Sequence, residues 1–473
     1  MPETVQFYIV TLGCKVNQYE SQALCEAWQA LGWQQRPSPG EVGAGGVLLV
    51  NSCAVTAAAE SDVRASVRRL HRENPAAAIW ITGCAAQTKT AELGRLPGVT
   101  AVISTADKDE LLRAPEKWLA PGQNAVSSPP PQGGRAYPAF SISTYQRARP
   151  VLKVQDGCSH RCTYCIVPLA RGASVSRPPQ AVLAEAHRLL KAGFREIIIS
   201  GINLSQYRAP LPAGMLPEPA LPQALLPDTG NDFWGLLAWL EKELVPDWAG
   251  QARLRISSLE PGQLHTRALE VLANSRLLCP HLHISLQSGS YSVLSRMGRG
   301  HYQPDALPDF CERLRAIWPR FGLGADLLVG FPGETDNEFE ETLRLIRALP
   351  LTYAHVFPYS PRPGTPAAAM PGRLSKELLT ARAAALRQEV KQKKELFLDT
   401  LVREGASLQV ALEGHNPERG VSEYYTECRF SRPPANAALR MLAGARALAR
   451  TKESLLVDPL LPPDAGKTTA QSD

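Results

Sequence analysis

The sequence predicts an α/β protein of three parts: an N-terminal parallel α/β domain, a central partial (β/α)6 barrel and a small C-terminal β domain. Its 473 residues are too many for a single hydrophobic core. Short apolar runs alternate with segments long enough for helices, which is the pattern of a parallel sheet. Near the C-terminus this rhythm gives way to short β segments, which favour a separate small β domain.

The N-terminal domain is predicted over residues 1–118, with strands in the apolar runs 5–12, 47–50, 78–82 and 99–103. Residues 119–148 contain SSPPPQGGR and few aliphatic side chains, which predicts a linker.

The central domain is predicted over residues 149–400. We expect six strands, too few to close an eight-stranded barrel, at 151–155, 196–200, 253–257, 282–287, 323–329 and 353–358. The Pro- and Leu-rich segment 208–231 interrupts the pattern and reads as an inserted surface loop. Residues 401–460 form the predicted β domain, and the polar residues 461–473 a disordered tail.

Composition sets broad limits on function. The net charge of +6 permits nucleic-acid binding without requiring it. The sequence has no run of 18 apolar residues and no signal-peptide pattern at its start, so we expect a cytoplasmic protein with no membrane partner. Ten cysteines are too sparse for a disulfide framework in a chain of this length, and spaced cysteines are then more typical of metal ligands or catalytic groups.

The sharpest signal is the segment CSHRCTYC, which places Cys158, Cys162 and Cys165 directly after a predicted strand. Three thiolates at this spacing can wrap one face of an iron–sulfur cluster from a single loop, leaving one iron open. The main alternative is a zinc site with His160 as a fourth ligand, although zinc sites usually have paired CxxC units.

Three further cysteines share one setting, because Cys14, Cys53 and Cys84 each follow a predicted strand of the N-terminal domain. If these strands are parallel, all three thiols leave the same edge of one sheet and can converge. The alternative is that each is an ordinary buried cysteine. The remaining four cysteines are interpreted as structural: Cys25, Cys279, Cys311 and Cys428.

The motifs TLGCKVNQYES, VNSCAVT, TGCAAQ, QDGCSHRCTYCIVPLARG, RMGRGHY and DLLVGFPGET together resemble the radical S-adenosylmethionine (SAM) methylthiotransferase family over almost the whole chain. The resemblance implies two 4Fe–4S clusters, a SAM-binding one on Cys158, Cys162 and Cys165 and an auxiliary one on Cys14, Cys53 and Cys84. It also implies SAM as cofactor. The candidates for lining the SAM pocket are Tyr164, Ser200, Gly201, Asn203, Ser257, Glu260 and Gln287. For Ser257, Glu260 and Gln287, the alternative is ordinary strand-end capping and turn hydrogen bonding.

The C-terminal segment resembles the TRAM domain, a β module associated with RNA binding. The expected RNA contacts are Arg403, Arg419, Tyr424, Tyr425 and Arg429, since arginines pair with phosphates and aromatic rings stack on unpaired bases. The alternative is a solvated β surface with two core tyrosines.

Within the family, the run GCKVNQYE at 13–20 is most similar to the enzymes that convert N6-threonylcarbamoyladenosine, just 3′ of the anticodon of tRNA, to its 2-methylthio derivative. The resemblance implies radical sulfur insertion followed by methyl transfer from a second SAM. It implies tRNA, a low-potential electron donor of the flavodoxin or ferredoxin type and a sulfur source such as a cysteine desulfurase as partners. The alternatives are methylthiolation of isopentenyladenosine or of a ribosomal-protein side chain, and a non-catalytic, cluster-holding RNA-binding or redox-sensing protein.

Overall fold

Three open sheets and one closed barrel make up the described part of the chain in a computed structural model. The structure describes residues 4–119, 136–211, 231–413, 418–434, 438 and 440–460. The segment 212–230 of the predicted insertion, the first part of the predicted linker (120–135) and the predicted tail (461–473) lie outside the described residues. Within the described ranges, no helix is long and apolar enough to cross a membrane.

The N-terminal domain is a five-stranded sheet in the order β2-β1-β3-β4-β5, and all its pairings are parallel. The central strand β3 has the sequence VLLVNS and is buried along its whole length, as expected for a parallel strand covered on both faces. The strands are β1 Gln6–Thr11, β2 Gln34–Gln35, β3 Val47–Ser52, β4 Ala78–Gly83 and β5 Val99–Val102. The helices are α1 Lys15–Ala30, α2 Ala57–Glu73, α3 Cys84–Thr88, α4 Thr90–Leu93 and α5 Lys108–Arg113.

The central domain contains all six expected strands, in chain order around a partial barrel. They are β6 Val151–Asp156, β8 Glu196–Gly201, β9 Arg253–Ile256, β10 His281–Gln287, β11 Gly322–Val329 and β12 Tyr353–Pro358. A short strand, β7 Val175–Ser176, pairs antiparallel with β6 and was not anticipated. The two halves of the barrel, β7-β6-β8-β9 and β10-β11-β12, meet through an isolated parallel bridge between Leu259 and Ile284.

Helices cover the outside of this partial barrel. They are α6 Val167–Arg171, α7 Pro179–Lys191, α8 Phe233–Trp248, α9 Thr266–Asn274, α10 Tyr291–Arg296, α11 Leu307–Ile317 and α12 Asp336–Ala348. Helix α12 begins with a complete capping box, in which Thr335 and Glu338 each bind the other's backbone amide. The long helix α13, Lys376–Arg403, then leads to the C-terminal domain.

The C-terminal domain is a closed five-stranded barrel in the order β13-β14-β15-β17-β16. Its strands are β13 Ser407–Leu412, β14 Arg419–Ser422, β15 Glu427–Phe430, β16 Leu442–Arg450 and β17 Leu455–Pro459. Closure leaves no free strand edge on such a small domain. The three-part α/β fold predicted from the sequence is therefore confirmed.

The N-terminal domain and the partial barrel share one continuous hydrophobic core. The described part of the predicted linker contributes to it, since Phe140, Ile142 and Tyr145 are buried. The Tyr19 hydroxyl on α1 donates to the Phe140 carbonyl at 3.0 Å, and the Ile142 amide donates to Glu185 on α7 at 3.1 Å. Residues 136–148 are therefore a packed connection rather than a loose spacer.

Candidate active site: two sets of three cysteines

The loop that carries Cys158 begins with a forced turn after β6. Gly157 has φ +67°, and a Cβ there would lie 2.1 Å from the Ala173 carbonyl oxygen, so only glycine fits. The Cys158 amide donates to the Gly172 carbonyl at 3.0 Å. The first cysteine is thereby fixed at the C-terminal end of its strand, where barrel enzymes place their sites.

Distant segments hold the rest of this loop. The Thr163 amide donates to the Met297 carbonyl at 2.9 Å, and its carbonyl accepts from the Ala367 amide at 2.8 Å. Burial, together with the neighbouring thiols of Cys162 and Cys158, raises the pKa of the Cys165 thiol to about 12. The three sulfurs therefore lie within electrostatic reach of one another in a preorganised loop.

Two side chains donate to the sulfurs, and one carboxylate connects them. Asn203 Nδ2 lies 3.6 Å from Cys158 Sγ, and Arg299 Nη1 lies 3.8 Å from Cys162 Sγ. Both nitrogens also lie 3.2 Å from Glu260 Oε1. Burial alone would raise the pKa of Glu260, but the neighbouring side chains of His160 and His301 and the Arg299 charge hold it well below its usual range. Glu260 is thus an ionised anchor beside the cysteines.

Two histidines complete this cluster. His301 Nε2 lies 2.7 Å from Glu260 Oε2, and His160 Nδ1 lies 3.7 Å from Oε1. One ligand atom from each of the three residues falls within 4.8 Å of the others, a spacing that suits a metal ion. An ion there would have to displace Arg299 from the same carboxylate, so the contacts favour Glu260 as a hydrogen-bond anchor. Sequence reasoning missed Arg299 and His301 as site residues, although both stand in the quoted motif RMGRGHY.

The expected SAM-pocket residues lie at or just beyond the C-terminal ends of barrel strands. Ser200 and Gly201 end β8, Ser257 follows β9, and Gln287 ends β10 with a left-handed φ of +65°. Tyr164 lies within the cysteine loop and packs against the main core. Among the hydrogen bonds of the described residues, one joins two members of this set, that from Asn203 to Glu260. The roles of these residues in a SAM pocket stay predictions.

The second set of cysteines lies at one edge of the N-terminal sheet. Cys14 caps α1, Cys53 directly follows β3, and Cys84 is the first residue of α3. A Cβ on Gly13 would lie 2.7 Å from Cys53 Sγ, so the backbone at Gly13 passes directly against that thiol. Burial, together with the Cys84 and Cys14 thiols, raises the pKa of Cys53 to about 11. The three thiols therefore interact, as expected for adjacent parallel strands.

The two sets meet where α3 packs against α6. Ile166 and Ala170, which follow the CxxxCxxC loop, lie in the same hydrophobic cluster as Cys84. The Thr105 hydroxyl donates to the Ala170 carbonyl at 2.6 Å across this contact. The charge of Arg171 acts on both Cys53 and Cys84. The fold therefore brings both cysteine sets to one junction between the two domains.

The donor sets fit iron–sulfur clusters. All ten cysteines are free thiols, and each of the two sets offers three sulfurs with no disulfide to satisfy them. Thiolates are the usual ligands of such clusters. Cys158, Cys162 and Cys165 would hold one cluster, and Cys14, Cys53 and Cys84 the other. The four remaining cysteines are also buried, and their structural role stays a prediction: Cys25, Cys279, Cys311 and Cys428.

The structure separates the expected RNA contacts into two groups. Arg403, Arg419 and Arg429 are exposed, and the last two are cross-strand partners on β14 and β15. Tyr424 is only 9% exposed, and its ring packs edge-on against Phe397. A stacking role for Tyr424 does not fit this position, because its ring fills the core of the C-terminal domain.

Tyr425 also departs from the expectation of a surface aromatic. It has a left-handed φ of +65° and inserts its ring beside His281 and Tyr353 of the partial barrel, with centroid distances of 4.9 and 5.3 Å. Base stacking by Tyr425 on the outer surface therefore does not fit either. The ring instead docks the C-terminal domain onto the barrel.

Comparison with known proteins places this geometry in a family. Residues 152–346 match the radical SAM superfamily model, and residues 6–104 match a model described as uncharacterized protein family UPF0004. The chain is 36% identical to threonylcarbamoyladenosine tRNA methylthiotransferase MtaB of Bacillus subtilis, over 81% of this chain and 79% of that protein. It is 30% identical to a tRNA-2-methylthio-N(6)-dimethylallyladenosine synthase of Pelotomaculum thermopropionicum, over 89% of each.

Among solved structures, the radical SAM methyltransferase TsrM of Kitasatospora setae matches with a TM-score of 0.55 and 15% identity, covering 77% of each chain. At this identity the likeness concerns the fold alone. The domain matches and the relatives lead to one conclusion: the chain belongs to the radical SAM methylthiotransferases, enzymes that work with SAM and two 4Fe–4S clusters.

Proposed function

We propose that this enzyme methylthiolates tRNA, and that its substrate is N6-threonylcarbamoyladenosine just 3′ of the anticodon, modified at C2 of the adenine. The observation that carries the proposal is the junction of two free three-cysteine sets across α3 and α6. The relatives add the substrate: four proteins named MtaB threonylcarbamoyladenosine tRNA methylthiotransferase are 33–36% identical over 81–89% of the chain.

In this proposal Cys158, Cys162 and Cys165 hold the SAM-binding cluster, and the N-terminal set holds the auxiliary cluster. When bound, the clusters and SAM supply radical hydrogen abstraction, sulfur and the methyl group. Asn203 and Arg299 donate to cysteine sulfurs, which orients the loop and stabilises negative charge there.

Glu260 serves as the fixed acceptor of that arrangement. Its carboxylate stays ionised and holds Asn203 and Arg299 in place, so neither donor has to reorganise during the reaction. Packing of the N-terminal domain against the barrel reduces solvent at the junction, which protects reactive species from water.

The exposed arginines Arg403, Arg419 and Arg429 are suited to pair with tRNA phosphates. The reaction also requires a low-potential electron donor of the flavodoxin or ferredoxin type and a sulfur source such as a cysteine desulfurase. Action on tRNA would place the enzyme in the cytoplasm.

The first test is mass spectrometry of modified nucleosides in tRNA from cells that lack this gene. We expect the methylthio form of threonylcarbamoyladenosine to disappear and its precursor to accumulate. Loss of the methylthio isopentenyl form instead would retain the chemistry and change the substrate. No change in either nucleoside would refute action on tRNA and direct the search to ribosomal proteins.

A second test separates catalysis from RNA binding alone. The change Cys162→Ala removes one ligand of the SAM-binding set, so product should vanish while affinity for tRNA, measured by fluorescence anisotropy, is retained. Cells complemented with this variant should show the same nucleoside profile as the deletion. Full complementation would instead indicate a protein that acts without radical chemistry.

A further inference from the structure

Lys15 lies where the three domains meet. It is the first residue of α1 and directly follows Cys14 of the auxiliary set. Its Nζ lies 5.8 Å from the centre of the Tyr425 ring, which the C-terminal domain inserts into the partial barrel. A side chain that begins beside a cysteine of the candidate active site therefore ends among residues of the barrel.

The barrel residues around this position are polar and face inward. Along β10, Leu282 and Ile284 lie in the hydrophobic core, so His281 and His283 project from the opposite face of the strand. The Tyr353 hydroxyl lies 2.9 Å from a ring nitrogen of each histidine. The lumen next to Lys15 is thus lined by hydrogen-bonding groups rather than by aliphatic packing.

The positive charge of Lys15 lacks a partner that its neighbours have. Arg149 and Arg255 also lie against the Tyr425 ring, at 5.5 and 5.3 Å, but each forms an ion pair with Glu196, at 3.3 and 2.6 Å. Within the described residues, the Lys15 ammonium forms no ion pair shorter than 4.0 Å and no hydrogen bond.

A carboxylate that acts on Lys15 is already engaged by another residue. Asp326 interacts electrostatically with Lys15, but its Oδ1 lies 3.2 Å from His283 Nε2. By contrast, two other lysines at the domain junction, Lys108 and Lys153, both pair with Glu20. A half-buried ammonium without a counter-ion is costly, and an anionic ligand would offset that cost.

We propose that Lys15 is a specificity-determining residue that pairs with the carboxylate of the threonylcarbamoyl group of the substrate. The inference rests on the proposed function, because that substituent carries a carboxylate and an isopentenyl group carries none. N6 and C2 lie on the same edge of the adenine, on either side of N1, so a substituent on N6 lies close to the position at which sulfur is inserted, and Lys15 adjoins Cys14 of the auxiliary set. Three cations lie against the Tyr425 ring: Lys15, Arg149 and Arg255. Both arginines pair with Glu196, and Lys15 is the one of the three that forms no ion pair within the described residues.

The test uses the reconstituted holoenzyme and two anticodon stem-loop RNAs, one with threonylcarbamoyladenosine and one in which the threonine carboxylate is a carboxamide. For the wild type we expect the dissociation constant of the carboxamide RNA to be about 10- to 100-fold higher, the range for a hydrogen bond to a charged group. For Lys15→Gln this ratio should fall to about 1. Lys15→Arg should keep most of it.

Two controls make the result interpretable. Lys191→Gln removes an exposed lysine at the end of α7 and should leave the ratio unchanged. Iron content and visible absorption of Lys15→Gln should equal those of the wild type, since Lys15 adjoins Cys14 but is not a ligand. If Lys15→Gln loses iron, Lys15→Arg decides the question, because it preserves the charge.

The outcomes separate the two proposals. Suppose that the wild type modifies the threonylcarbamoyl RNA. If the ratio of the two dissociation constants, carboxamide RNA to carboxylate RNA, is then the same in the wild type and in Lys15→Gln, the role of Lys15 is overturned and the proposed function stands. Equal weakening of both RNAs by Lys15→Gln also overturns the role of Lys15. A wild type that modifies only isopentenyl RNA overturns the proposed function itself.

Discussion

The change Glu20→Gln removes one charge from a fully buried ionic cluster between the N-terminal domain and the barrel. Glu20 Oε1 accepts from Lys153 at 2.7 Å and from Arg171 at 2.8 Å, and its other oxygen pairs with Lys108. Asp156 also pairs with Lys153 and Arg171, at 3.0 and 2.9 Å. Three cations thus meet two carboxylates, and the substitution leaves three cations against one.

The substitution should lower the free energy of unfolding, because it removes only one partner of a buried ion pair. Removing one partner of a buried ion pair destabilises a protein by ~3–5 kcal/mol, because the remaining charges stay buried. At roughly 2–4 °C per kcal/mol for a unit of 150–250 residues, Tm should fall by roughly 6–20 °C. Circular dichroism during heating of the apo protein measures this directly.

The pH dependence provides a second readout. Burial alone would raise the pKa of Glu20, but Arg171, Lys108 and Lys153 hold it well below its usual range. A carboxyl with a lowered folded-state pKa stabilises the protein above its unfolded value, about 4.3, and this stabilisation is lost as pH falls towards the folded value. The Tm difference between wild type and Glu20→Gln should therefore be full at neutral pH and narrow only below about pH 4.

A matched control replaces a carboxylate in an exposed pair. Glu92 lies 3.0 Å from Arg64 with its side chain 48% exposed, so Glu92→Gln should change stability by less than about 1 kcal/mol. A Tm for Glu20→Gln within the range of this control would refute the reasoning that the buried cluster joins the two domains.

Three further predictions concern the cysteine sets and one helix. Gly13→Ala should lower the iron content of the reconstituted protein towards that of one cluster, because Gly13 has φ +93° and the new Cβ would lie 2.5 Å from Cys53 Cβ. The control Gly32→Ala has a similar φ of +88° but open space around it, and it should retain both clusters. Cys84→Ser should remove about half of the bound iron by elemental analysis, and Cys311→Ser none. Thr335→Ala removes the N-cap of α12 and should cost ~1 kcal/mol in denaturant unfolding; an unchanged midpoint would contradict the cap's role.

Local sequence patterns were sufficient to predict where the strands lie and that the three N-terminal cysteines converge. Apolar runs of four to eight residues predict buried strands, and parallel strands end at a common edge. The prediction that Cys14, Cys53 and Cys84 share such an edge needed only that rule. The resemblance to the family then supplied cofactors and reaction, which spacing alone does not determine.

Other parts of the site depended on contacts between distant residues. The sequence does not indicate that Glu260 gathers Asn203, Arg299 and His301, because these residues lie far apart along the chain. For Tyr424, a tyrosine on a short β segment is compatible with either a surface or a core position, and only packing against Phe397 decided between them.

By itself, the sequence determined the order of strands and helices and the two cysteine sets, because hydrophobic period and turn residues act over a few residues. Only the tertiary structure decided which charges are paired. Glu20 is neutralised by cations from both domains, whereas the Lys15 ammonium forms no ion pair with any residue that the structure describes. The physical reason is that burial and ion pairing depend on which surfaces the folded domains press together, and no local pattern encodes that choice.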